Sequence, residues 1–216
     1  MKSLRVATCQ FPVEPDIDAN LGYTIRQIRQ SADQGARVVH FSECSLSGYA
    51  GVEFPDISHL DWDALVAATG QIQQAARETR TWVVVGSSHR LTGRHKPHNC
   101  LYLINPDGEI VDRYDKRFCT GTGGRRPTMD LSHYSPGDHP VTFTVDGITL
   151  GLLICYDYRF PELYREYYTQ GVQILLQSFH NARATVVDDQ SYNCLLYTSD
   201  AADEGLGVDL GGRRII

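Results

Sequence analysis

Three apolar runs in this 216-residue sequence end on a reactive side chain. In "VVHFSECSLSGY" the acid Glu43 comes just after Phe41 and before a polar, glycine-containing loop. In "IVDRYDKRFC" Lys116 follows the return strand of a hairpin, and in "LLICYDYRF" Cys155 stands where aliphatic residues give way to Tyr156, Asp157, Tyr158 and Arg159. Each has a plain structural explanation taken singly: a solvated loop acid, a surface lysine, a small thiol closing a core strand. Together they bring a carboxylate, an ammonium and a thiol to the ends of separate strands, which is where an α/β sheet gathers a site. A strand that runs through a tight turn into a helix also holds a nucleophile within reach of a pocket. The chemistry that uses all three is acyl transfer from a carbon–nitrogen group. A thiolate attacks the carbon, the cation favours the thiolate and steadies the oxyanion, and the carboxylate carries the proton. No metal and no other cofactor is required. Cys44 and Cys119 are rival nucleophiles by position; Cys44, next to Glu43 on a strand, should point the opposite way, and Cys119 should be accessible without being activated.

The elements that must position these residues alternate in type. "RVATCQF" has strand composition, and residues 20–34 carry Leu21, Ile25, Ile28 and Ala32 at helical spacing until Gly35 stops them. "RVVHFSE" is a second strand; "DWDALVAATGQIQQAARE" opens acidic and sets Trp62, Leu65, Val66, Ile72 and Ala76 on one helical face. "TWVVVGSSHRL" is apolar nearly throughout, as a strand buried on both sides should be. "NCLYLINPDGEIVDRYDK" and "VTFTVDGITLGLLIC" read as hairpins turning at "NPDG" and at Asp146-Gly147. Pro161 and Glu162 suit the first turn of a helix over "PELYREYYTQ", and "GVQILLQS" is one more strand. Helices, buried strands and hairpins in this order specify an α/β layered domain.

Composition excludes several classes. Hydrophobic residues make up 42% and charged residues 21%, without an apolar run long enough to span a bilayer, so no membrane partner is expected. A formal net charge of -6 without a local Lys/Arg run argues against nucleic acid. "MKSLRVATCQF" lacks the apolar core of a signal peptide, which points to the cytoplasm. The six cysteines form no CxxC pair and read as free thiols; His95 and His98 in "GRHKPHN" lack a third ligand, so no metal is expected.

With these residues in view, the chain resembles the nitrilase superfamily of carbon–nitrogen hydrolases across residues 6–192. Glu43 in "FSECSLSGY", Lys116 in "YDKRFC" and Cys155 in "GLLICYDYRFPELYRE" match that family's Glu-Lys-Cys triad, the last motif being the longest. The resemblance implies a four-layer αββα sandwich and hydrolysis of a small linear amide or N-carbamoyl compound through a cysteine thioester. It implies an oxyanion hole completed by the backbone N–H of Tyr156, and a homodimer or higher homo-oligomer for the full-length form. Asp130 in "MDLSHYSPGD" occupies the place of a second family glutamate. Tyr49, Phe118, Tyr158, Phe179 and Asn181 are expected to border the substrate pocket. Family members continue beyond the "QSFHNAR" segment, whereas residues 194–216 follow no family pattern and include "LLYTSDAADE", which reads as translated adapter sequence. The domain is therefore expected to be 1–193 and incomplete, with an open sandwich that is poorly soluble or inactive. The alternatives are a catalytically inactive fragment or binding module of the same fold, and a nitrilase acting on a nitrile.

Overall fold

The computed structural model describes residues 3–121 and 129–180. The expectations for Asn181, Cys194 and the 194–216 segment fall outside these residues. Among the described residues, eight strands form two sheets. The first has the order β1 (Val6–Cys9), β2 (Val38–Phe41), β3 (Trp82–His89), β4 (His98–Ile104), β5 (Ile110–Asp115). Its first three strands are parallel and the last two antiparallel. The second sheet holds β6 (Thr142–Val145), β7 (Ile148–Ile154) and β8 (Ile174–Ser178), with β7 antiparallel to β6 and parallel to β8.

Side chains of successive strand residues point to opposite faces, and that alternation builds two cores. From the first sheet, Val39, Phe41, Val83, Val85 and Ile104 pack with α1 (Ile17–Asp33) and α2 (Trp62–Thr79). Their neighbours Val38, Val84, Leu101 and Leu103 turn the other way, onto Leu150, Leu152 and Ile154 of the second sheet, in a core that also takes in Leu163 and Tyr167 of α4 (Pro161–Thr169). Helices, sheet, sheet and helix make the four layers expected. Each fully buried Val, Leu or Ile contributes roughly 1.5–3 kcal/mol relative to exposure, so the inter-sheet core is the main force joining the sheets.

The helices begin where side chains can satisfy their first N–H groups. Asp16 accepts from the N–H groups of Asp18 and Ala19, and Asp61 from those of Asp63 and Ala64. The first helix consequently starts at Ile17, three residues before the sequence periodicity becomes visible at residue 20. Two short elements carry no periodicity at all: the single turn α3 (Asp130–His133) and a 3-10 turn over Cys155–Arg159.

Candidate active site

Three chain segments meet at one buried point. β2 stops at Phe41, and the chain reverses through a turn in which Cys44 has φ 51°. This turn lies directly on β3 at Gly86, where any Cβ would drive into the Ser42 carbonyl and come within 2.6 Å of the Cys44 amide nitrogen. Cys44 is thus part of a left-handed turn and fully buried, so its exclusion as a nucleophile rests on burial and not on strand alternation. The turn aims Glu43 inward, 1% exposed.

Lys116 leaves the end of β5 with its N–H donating to the Asn99 carbonyl at 2.8 Å, while its own carbonyl accepts from the Gly137 N–H at 2.8 Å. Gly137 belongs to the "SPGD" turn and lies so close to the Asp115 carbonyl that a Cβ could not be accommodated. Lys116 is 1% exposed, and its Nζ is 2.7 Å from Glu43 Oε1 and 2.7 Å from Asp130 Oδ2. Asp130, brought in by the one-turn α3, also accepts from the Tyr49 hydroxyl and from the Thr120 N–H and hydroxyl. The buried carboxylate predicted at this position is therefore present and touches the lysine directly.

Cys155 follows β7 immediately, at φ 42°, a left-handed conformation that few non-glycine residues adopt. Its thiol lies within the electrostatic reach of the Glu43 and Lys116 side chains. Tyr156 comes next, in the first turn of the 3-10 segment, where backbone N–H groups precede any intrahelical acceptor.

The electrostatics of the three groups oppose one another. Burial would depress the Lys116 ammonium, but the Glu43 and Asp130 carboxylates outweigh it and hold the ammonium well above the ordinary lysine value. Asp130 is held below the usual carboxylate range because Lys116 overcomes its desolvation. One cation is thereby matched by two carboxylates, and the balance does not favour a resting thiolate. Burial first, then the charge of Glu43, push the Cys155 thiol well above the ordinary cysteine value, with Lys116 opposing. Cys155 is thus held as a neutral thiol near neutral pH.

The aromatic residues expected at the pocket divide. Tyr49 walls the site, bound to Asp130 and with Lys116 Nζ 6.0 Å from its ring centroid. Phe118 stacks on Phe160 at 3.5 Å, and Tyr158 and Phe179 form a tilted pair at 5.9 Å. The Phe179 carbonyl accepts from the Glu43 N–H at 3.3 Å. Three further residues were not legible as site residues. Asn99 Nδ2 donates to Glu43 Oε1 at 2.7 Å, and the His180 N–H donates to Glu43 Oε2 at 3.0 Å. The His180 ring stacks on Tyr49 at 5.1 Å with Nε2 3.1 Å from Glu53 Oε1. Asp157 is fully buried beside the elbow. Asn99 could have been found as a polar residue opening an apolar strand; the other two carry no such mark. Cys119, partly exposed, has its thiol raised by burial to about 12.

A family profile described as carbon-nitrogen hydrolase matches residues 5–194. The chain belongs to the carbon-nitrogen hydrolase family. Omega-amidase NIT2 of Mus musculus is 30% identical over 178 residues, covering 82% of this chain and 63% of that protein. The chloroplastic omega-amidase of Arabidopsis thaliana is 25% identical, covering 100% of this chain and 62% of its own length. This carbon-nitrogen hydrolase thus spans a little under two thirds of the curated relatives. Among solved structures, an amidase from Nesterenkonia sp. shares the fold with TM-score 0.74 at 24% identity, over 94% of this chain and 73% of that one. Glutamine-dependent NAD+ synthetase from Acinetobacter baumannii does so with TM-score 0.74 at 20% identity, over 95% and 37%. Among the described residues of this family member, no group of three or more His, Cys, Asp or Glu side chains could hold a metal ion, and no helix is long and apolar enough to cross a membrane.

Proposed function

We propose that this carbon-nitrogen hydrolase cleaves a small primary amide through a thioester on Cys155, with Glu43 as the proton carrier. The observation that carries the reading is the Glu43 carboxylate itself, buried, bonded to the ammonium of Lys116 at 2.7 Å and close enough to Cys155 for its charge to act on the thiol. As the Cys155 sulfur bonds to the substrate carbon, its proton passes to Glu43. The oxyanion that forms is steadied by Lys116 and the Tyr156 N–H. Collapse breaks the carbon–nitrogen bond, and the proton on Glu43 leaves with ammonia. A water then gives a proton to Glu43 while its oxygen attacks the thioester; the carbon–sulfur bond breaks, the acid is released and the thiol is restored. Asp130 holds Lys116 in place of a second glutamate.

The amide reading is supported by the omega-amidase names of the curated relatives. It is also supported by the Nesterenkonia amidase, a variant of which carries the acetamide moiety of fluoroacetamide on its active site cysteine. The test measures ammonia release from short primary amides, with and without a carboxylate at the far end, alongside N-carbamoyl compounds and the matching nitriles. Turnover of amides that vanishes in Cys155→Ala, with a thioester trapped by hydroxylamine in the parent protein, is the expected result. Preferential turnover of nitriles would reassign the substrate. Ammonia release that persists in Cys155→Ala, or none from the parent, would overturn the reading.

A further inference from the structure

Glu43 joins Lys116 to Cys155, yet in the proposed cycle it gains and loses a proton twice, and each change alters its hold on both. Something that does not titrate during the cycle must therefore keep the lysine and the cysteine in register. We infer that Asp157 is that positioning residue: its buried carboxylate ties the strand end before Cys155 to the loop after Lys116. The inference rests on the assignment of Lys116 and Cys155 made above.

Asp157 is fully buried and accepts three hydrogen bonds from three segments. Oδ2 takes the Ile154 N–H at 3.1 Å and the Tyr114 hydroxyl at 2.8 Å. Oδ1 takes the Phe118 N–H at 2.8 Å. Ile154 immediately precedes the nucleophile, and Phe118 stands two residues beyond the lysine, so one rigid planar group sets the distance between the two reacting arms. Tyr114 lies in β5, within the first sheet, and anchors the clamp to that layer. The Asp157 carbonyl also accepts the Phe160 N–H at 3.1 Å, which caps the C-terminal end of the 3-10 segment that Cys155 opens in its left-handed conformation. Such a conformation is costly and persists only where surrounding bonds over-determine it. Burial raises the Asp157 carboxyl above its ordinary value, while the Phe118 N–H, the Tyr114 hydroxyl and the Ile154 N–H favour its charged form. No group that moves a proton in the proposed cycle is bonded to this carboxylate.

Asp157→Asn preserves size but replaces one acceptor oxygen by a donor, so at least one N–H is left facing an N–H. A displacement of about 1 Å at a reacting group costs on the order of 10²-fold in rate. The experiment compares Asp157→Asn with Tyr114→Phe, which removes a bond of the same carboxylate without touching either reacting arm. Two quantities are read per folded molecule: kcat, and the pH midpoint of Cys155 alkylation by iodoacetamide, resolved by peptide mass spectrometry. The expected result for Asp157→Asn is a kcat loss of about 10²-fold together with an alkylation midpoint that falls towards the free-cysteine value of about 8.5. Tyr114→Phe, which leaves both backbone N–H groups paired with the carboxylate, is expected to shift both quantities in the same direction by less. If Asp157→Asn gives no cooperative melt, Asp157→Ser, which leaves room for a water, takes its place. A parental midpoint and kcat in the Asp157 variant, or a larger shift in Tyr114→Phe than in Asp157→Asn, would overturn the inference. The alkylation midpoint needs no substrate, so failure here is distinguishable from a wrong choice of amide.

Discussion

Two buried carboxylates, one past the end of a strand in each sheet, show how neighbours divide the work of identical groups. Glu43 follows β2 and faces a lysine, the amide of Asn99, the His180 N–H and a thiol. Asp157 follows β7 and faces two backbone N–H groups and a phenol whose own ionisation is driven far upward by burial. A carboxylate becomes a proton carrier only when a partner can surrender a proton under working conditions; otherwise the same oxygens are a clamp. The Glu43 region spends charge to gain chemistry, and the Asp157 region uses neutral donors to gain geometry.

The largest test of this contrast removes the carrier. Glu43→Gln should lower kcat by about 10²–10⁴-fold, the range for a general acid–base group. It should at the same time lower the pH midpoint of Cys155 alkylation, because the Glu43 charge raises the thiol. Catalysis and thiol ionisation thus move in opposite directions; a Glu43→Gln enzyme whose alkylation midpoint rises would remove the distinction. Next in size, Asp130→Ala leaves the buried Lys116 with one carboxylate, and breaking a buried ion pair costs about 3–5 kcal/mol. Urea titration should show that loss at neutral pH. Asp130 is depressed in the folded state, so its contribution is present above the unfolded carboxylate value and disappears as pH falls through the folded one. Parent and variant should therefore converge in stability below about pH 4. An unchanged urea midpoint, or a gap that persists in acid, would show that Asp130 is not the lysine's counter-charge.

The smallest effect sharpens the boundary between the two sheets. His40 in β2 contacts Ser178 of β8 at 2.7 Å, and Ser178 donates its proton to the Phe41 carbonyl at 2.8 Å. His40 Nε2 is therefore the donor. Burial lowers His40 to about 4, so the folded protein keeps it neutral while the unfolded chain binds a proton near the ordinary 6.5. Stability should fall as pH drops from about 6.5 to about 4, by up to about 3 kcal/mol at 1.36 kcal/mol per unit. His40→Gln should flatten that segment of the stability profile; a slope kept in the variant would assign it elsewhere.

Much of this was legible because polarity switches sharply at strand ends. The runs ending before Glu43 and Cys155 are buried on both faces, so the first reactive side chain after each marks where the sheet opens, whereas the charged and largely exposed "IVDRYD" before Lys116 gives no such mark. The layers followed from Val38 against Val39 and Leu103 against Ile104, whose alternation fills two cores. What stayed hidden depends on partners far away in sequence. Asp157 stands in a polar stretch where a solvated turn residue would look the same, and only the convergence of Tyr114, Ile154 and Phe118 makes it a clamp. His180 reaches Glu43 through its backbone, which no side-chain pattern encodes. The neutral thiol of Cys155 was hidden as well, because its largest cause is burial, followed by the Glu43 charge with Lys116 opposing, and burial is set by the packing of both sheets.

The reach of Glu43 has a temporal consequence. Its turn is completed by the His180 N–H, 137 residues further along the chain. At a synthesis rate of about 5–20 residues per second, the ribosome needs roughly 7–27 s to cover that interval. Throughout it, the acid exists on the nascent chain without its last donor, and for most of it without Lys116 or Cys155. The buried acid is thus made first and its last donor last, so the set of hydrogen bonds around Glu43 is complete only once the chain has passed β8.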